Sequence, residues 1–204
     1  MKKEIIYAFI DSQNLNLGTS KDIYKGKKLI YKGWKLDFKK FRQYLSDKFR
    51  VNKVFYFIGY IEKNEHIYKR LKKFGYDLIF KPTVRDDHGK PKGNVDAEIV
   101  LYSSKIEFEK YDKAVIVSGD GDFYCLHNFL VKNKKLLRIL IPNIKSQSSL
   151  LNKFQQYKTF IIYEKEKLEF IKFSNEGIIK DLIGILDDLE RAVNSAKAAK
   201  KEKK

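Results

Sequence analysis

Short apolar or aromatic runs alternate along this chain with segments of helical period, and that alternation restricts it to an α/β fold with a mainly parallel sheet. The runs are 4–10, Val54–Ile58, Asp77–Phe80, 114–118, Leu136–Ile141 and 159–163. They are short and rich in Val, Ile, Phe and Tyr, as strands buried on both faces are. Between them the period lengthens. A helix is expected over 38–49, with Phe38, Phe41, Leu45 and Phe49 at helical spacing and Asp37 placed to cap it. Another is expected over 64–74 from Ile67, Leu71 and Phe74, stopped at Gly75. Further helices are expected over 96–108, 122–133 and 148–154, with a polar loop over 83–94.

The length of 204 residues is enough for one domain with an appendage. The division expected is a domain over 1–167 and a C-terminal extension over 168–204. In the extension, Ile178, Leu182, Leu186 (or Ile185), Leu189 and Val193 share one helical face. That face either packs on the domain or joins two copies of the chain as a homodimer. The last ten residues carry five Lys and one Glu and are expected to be disordered.

Charge narrows the partners. Lys and Arg number 43 against 26 Asp and Glu, leaving +17. Such a surplus favours polyanions, nucleic acid before anionic membrane, although lysines spread as a solvated coat would give the same sum. The one cysteine, Cys125, cannot form an internal disulfide and is expected as a small buried group in a helix. The apolar stretch after Met1 is too short for a signal-peptide core and no run reaches a membrane span, so a cytoplasmic location is expected. His66, His88 and His127 are scattered and read as surface or packing residues.

Four aspartates, Asp11, Asp96, Asp120 and Asp122, fall where strands end or helices begin. Each alone is equally a cap, because Asp satisfies free backbone N–H groups at helix starts. Together they suggest something else. In a parallel sheet the carboxyl ends of strands line one crevice, and carboxylates gathered there repel unless a cation holds them. Hard oxygen ligands suit Mg²⁺ or Mn²⁺. The stretch Ser118-Gly119-Asp120-Gly121-Asp122 sets two acids among glycines that let a backbone approach a ligand closely, and Asn14 adds a neutral oxygen and an amide donor near Asp11. Glu98 is a secondary, outer candidate.

Three segments, Phe9-Ile10-Asp11-Ser12-Gln13-Asn14-Leu15, Lys92-Gly93-Asn94-Val95-Asp96 and Val115–Phe123, resemble the signature blocks of NYN domains, in the LabA-like (DUF88) branch of the PIN-like nucleases. The resemblance spans roughly 4–165. It implies a three-layer PIN-like Rossmannoid fold and a Mg²⁺- or Mn²⁺-dependent ribonuclease. It also implies that Asp11, Asp96, Asp120 and Asp122 form the catalytic metal site, with Asn14 and Ser118 positioning substrate.

A basic belt lies over 21–40, where eight Lys stand against two Asp for a net +6, interleaved with Tyr24, Tyr31 and Trp34. Lysines on phosphates and aromatic faces under unpaired bases are the ingredients of single-strand RNA binding. The candidates are Lys25, Lys27, Lys28, Tyr31, Lys32, Trp34 and Lys35, with Gly26 and Gly33 marking turns of a hairpin, and Arg85 and Lys92 on an opposite rim. The competing reading has Tyr31 and Trp34 packed inward as a cover on the sheet.

Overall fold

The computed structural model describes residues 3–82, 84–85, 91–92, 95–170 and 185–191. The chain divides into two units, residues 1–169 and 170–204. In the first, β1 (Ile6–Asp11) leads to α1 (Ser12–Ser20), an antiparallel hairpin β2 (Ile23–Lys25) and β3 (Lys28–Tyr31), then α2 (Phe38–Phe49). Next come β4 (Lys53–Gly59), α3 (Glu65–Lys73), β5 (Asp77–Lys81) and a two-residue pair, β6 (Val84–Arg85) with β7 (Pro91–Lys92). After α4 (Asp96–Leu101), β8 (Lys113–Val117) precedes α5 (Tyr124–Lys132) and β9 (Leu136–Ile141). A 3-10 segment, Ser149–Tyr157, then leads to β10 (Lys158–Phe160) and α6 (Lys165–Leu168).

Six strands form one sheet in the order β10-β9-β8-β1-β4-β5, and every pairing in it is parallel. Side chains of a strand alternate between faces, so each strand feeds two cores. On one face Ala8, Ile10, Val54, Tyr56, Val115 and Val117 pack with Phe41 and Leu45 of α2 and with Leu71 of α3. On the other, Phe9, Phe55, Phe57, Ile116 and Ile139 pack with Ile99 of α4 and with Leu126 and Leu130 of α5. The result is three layers, α/β/α.

Helix α2 starts and stops where its spacing predicts, with the Asp37 carboxylate accepting from Lys39 N and Lys40 N. The expected helix over 96–108 is shorter: α4 ends at Leu101 and passes into a wide π turn over Tyr102–Ile106. The last strand is three residues long, not five, because the chain turns into a 3-10 helix at Ile161. Cys125 is exposed rather than buried. His127 is wholly buried against Phe154, as a packing residue, while His88 lies outside the described residues. In the second unit, 185–191 is helical, and Ile178, Leu182, Val193 and the lysine-rich end lie outside the described residues. Among the described residues, no helix is long and apolar enough to cross a membrane.

Candidate active site

From β1 the chain moves to one side for β4 and β5, then returns to the other side of β1 for β8. The carboxyl ends of β1 and β8 therefore flank the switch point of the sheet, the place where open α/β folds bind ligands.

Asp11 ends β1 and opens α1. Its Oδ1 accepts from Gln13 N and Asn14 N, both at 3.0 Å, which is the cap that starts the helix. Its Oδ2 accepts from the Ser118 hydroxyl at 3.3 Å, across the boundary to β8. The same hydroxyl accepts from Asp120 N at 3.2 Å, and Asn14 Oδ1 accepts from Gly119 N at 2.8 Å. Two strand ends are thereby tied into one polar seam. The Asn14 side-chain nitrogen bonds to no described residue and remains a donor.

The Asp11 side chain is only 5% exposed. Burial, joined by the charge of Asp96, raises its pKa from 3.8 to about 6, against the lowering pull of the Asn14 and Gln13 amides and the Ser118 hydroxyl. At neutral pH a carboxylate is thus held charged where the surroundings resist charge. Asp96 is the half-buried first residue of α4. Val95 holds the cap position of α4, without a side-chain bond.

The β8 turn is arranged differently. Asp120 Oδ1 accepts from Asp122 N at 3.0 Å and caps the 3-10 turn Gly121–Phe123, and Asp122 is exposed. Gly121 is approached by Ser148, not left open for a ligand: a Cβ there would sit 2.4 Å from the Ser148 hydroxyl. Ser148 N also donates to Gly119 O at 3.0 Å, making Ser148 a clamp on this turn that the sequence reading missed. Its own signal was present, a serine before an apolar run, and it does cap the 3-10 segment through Leu150 N.

Two of the four aspartates, Asp11 and Asp96, therefore act on one another, while the Asp120 carboxylate is engaged in its own turn. Among the described residues, no group of three or more His, Cys, Asp or Glu side chains is gathered closely enough to hold a metal ion. The donor chemistry of the Asp11–Asp96 pair fits a hard cation.

The basic belt departs from expectation. Tyr31 and Trp34 are core residues, 9% and 4% exposed, and offer no face to a base. The Tyr31 hydroxyl lies 3.1 Å and 3.0 Å from the carbonyls of Gly18 and Thr19, and Trp34 N donates to Thr19 O at 2.9 Å. Burying two large rings in the core outweighs leaving them in water. Lys25, Lys27, Lys28, Lys32 and Lys35 are exposed. Arg85 and Lys92 lie on β6 and β7, and their side chains fall outside what is described.

These features define an α/β/α protein with an acidic, polar seam at its switch point. The chain belongs to the NYN-domain family, whose model matches residues 6–162. A protein of unknown function from Vibrio parahaemolyticus RIMD 2210633 shares the fold, with a TM-score of 0.61 at 19% identity over 83% of this chain and 100% of that one. The C-terminal part has a second likeness: the GrpE model matches residues 133–204. Protein GrpE of Borreliella burgdorferi is 42% identical over 73 residues, 35% of this chain and 39% of that protein. Protein GrpE of Borrelia hermsii is 60% identical over 37 residues, 18% of this chain and 20% of that protein. The chain thus spans about two fifths or less of the length of these relatives. Both family models match 133–162, and there the structure has β9 and β10 of the central sheet.

Proposed function

We propose that the chain is a divalent-metal-dependent ribonuclease, of the LabA-like (DUF88) branch of the PIN-like nucleases, hydrolysing RNA phosphodiester bonds at the Asp11 edge of the sheet. The observation that carries this reading is the buried Asp11 carboxylate, raised to about 6 by burial and by Asp96. Acids forced together without a counterion are what a hard cation relieves, and Mg²⁺ or Mn²⁺ suits oxygen donors. Asp11 and Asp96 would hold the ion, with Asp120 and Asp122 as further ligands or as holders of its waters. Such an ion, when bound, supplies an activated water and neutralises charge on the phosphoryl oxygens.

The chain's own residues do the positioning. The Ser118 hydroxyl, donating to Asp11 Oδ2, keeps that carboxylate from turning away. Asn14 is held by Gly119 N, which leaves its amide nitrogen to donate to a phosphate oxygen. Asp11 must shed its proton before it can hold a cation, so cation affinity should rise with pH through about 6. RNA is favoured as substrate by the family reading and by the basic hairpin beside α1.

A second reading is a non-catalytic RNA-binding module, favoured by the lack of a third gathered acid among the described residues. The decisive panel is single-stranded RNA, duplex RNA and DNA with Mn²⁺, Mg²⁺ or EDTA, run beside Asp11→Asn and Asp120→Asn. Cleavage of RNA that needs metal and both aspartates supports the nuclease; RNA binding without any cleavage supports the module. As a partner for the second unit we propose another copy of the chain, since Ile185, Leu186 and Leu189 share a face of the 185–191 helix. Leu186→Glu should then convert a dimer to a monomer in light scattering, and a wild-type monomer would refute it.

A further inference from the structure

We infer that the β2–β3 hairpin is a single-strand RNA grip in which Tyr24 is the stacking ring and Lys25 and Lys28 hold phosphate. The inference deepens the ribonuclease reading and rests on it for the identity of the polyanion.

The hairpin is short and firmly based. Gly26, at φ 61°, makes the tip with Lys27, a positive-φ turn of the kind that suits a two-residue connection. Below the tip, Tyr31 and Trp34 fasten the hairpin to the end of α1 through Gly18 and Thr19. Asn143, just beyond β9, also reaches Gly18 O, through its side-chain nitrogen at 3.3 Å. The C-terminal end of α1 thus stays at the carboxyl edge of the sheet. The same helix begins at Asp11 and Asn14, so one nine-residue element, about 14 Å long at 1.5 Å per residue, links seam and hairpin.

With Tyr31 and Trp34 buried, Tyr24 is the aromatic ring left outside: it is 59% exposed and stands directly across from Leu29, itself 42% exposed. An apolar, aromatic face on a two-stranded hairpin has little structural use. It is a stacking platform of the kind that binds unpaired bases without regard to sequence.

On the hairpin's other face, since neighbours along a strand alternate, the charges are unbalanced, and a strand crossing the tip would meet both faces. Lys25 and Lys28 are direct cross-strand partners, an arrangement that destabilises a hairpin unless an anion lies between them. Lys27 at the tip and Lys32 just past β3 are exposed as well. Among the described residues, none of these four lysines is ion-paired. The nearby acids are engaged: Asp22 Oδ1 accepts from Gly33 N at 2.7 Å, its Oδ2 accepts from the Tyr24 hydroxyl at 3.5 Å, which leaves the ring face open, and Glu169 faces Lys165 at 3.9 Å. A phosphate chain supplies the missing negative charge, and its bases supply the partner for Tyr24.

The test measures binding of a fluorescent oligouridylate to the full chain in EDTA, where hydrolysis is silent, across a salt series. Tyr24→Ala should weaken binding between about five- and a hundredfold, the range of one lost base stack, while Tyr24→Phe binds as wild type does. Lys25→Gln with Lys28→Gln should lower the slope of log affinity against log salt by about 1.4, at about 0.7 per phosphate contact. These positions are exposed, so no variant should lower the thermal melt, and removing the Lys25–Lys28 repulsion should raise it slightly. Tyr24→Ala and the double variant binding as tightly as wild type would overturn the proposal. So would a wild-type chain that ignores RNA and binds phosphatidylserine vesicles. If binding depends on Tyr24 and the lysines but no metal restores cleavage, the grip stands and the nuclease reading falls. If cleavage proceeds with hairpin variants at full affinity, the grip alone falls.

Discussion

Asp11 ends β1 and Asp120 lies just beyond β8, and each accepts backbone N–H from the turn that follows, yet their carboxylates meet different surroundings. Asp11 is buried, ringed by Asn14 and Ser118 and pressed by Asp96, whereas Asp120 is half-exposed and occupied with its own turn. Similar cap chemistry therefore coexists with different burial. A cap that costs stability when charged is kept for something other than capping, and that singles out the β1 side of the seam.

The largest expected effect breaks the comparison at its stronger side. Asp11→Asn should cut hydrolysis by at least about 10²–10³-fold, the scale for losing one preorganised charge contact. It should also stabilise the apo fold, since Asn still caps. The sign follows from the folded carboxyl at about 6 and its ordinary value of 3.8: between those pH values the folded state holds the extra proton, so stability falls as pH rises and the full cost stands above 6. Relief of that cost amounts to about 3 kcal/mol at pH 7, read from urea midpoints.

His127 has the opposite slope. Among the described residues neither buried ring nitrogen has a hydrogen-bond partner, and burial lowers the pKa from 6.5 to about 4. The unfolded chain takes up the proton first, so stability is lost as pH falls from 6.5 toward 4. His127→Leu should remove that loss, about 3 kcal/mol by pH 4, and expose the contrary slope of Asp11. Wild type should look nearly flat between the two, because the windows overlap.

Smaller effects sharpen the weaker side. Asp120→Ala should lower stability by about 1 kcal/mol through the lost cap, while Asp120→Asn spares it. If the reading of Asp120 as a ligand holds, both still lose cleavage, which separates cap from chemistry. Asp122→Asn, at an exposed position, should shift stability by under about 0.5 kcal/mol in the same melts.

Strands and the α2 helix were legible because buried parallel strands read as continuous apolar runs and α2 carries both its period and its cap. Helix α1 was not legible. Ser12–Ser20 has two leucines and no charge, and it is helical because Asp11 caps it and Leu15 and Thr19 are buried; tertiary contacts override weak propensity. The inward turn of Tyr31 and Trp34 was hidden for a similar reason, since ring exposure depends on how the hairpin is fastened. The seam residues Asp11, Asn14 and Ser118 were legible as a set. What spacing could not give was the direction of each carboxylate, and so which acids meet. The likeness of the C-terminal part to GrpE lies in residue identities, which periodicity does not record.

The most direct measurement is a carbon-detected titration of the Asp11 carboxyl with and without Mg²⁺. A pKa near 6 in EDTA, drawn below the ordinary carboxylate range by the cation, is the predicted result. A titration that Mg²⁺ leaves in place would contradict a metal site at the head of α1.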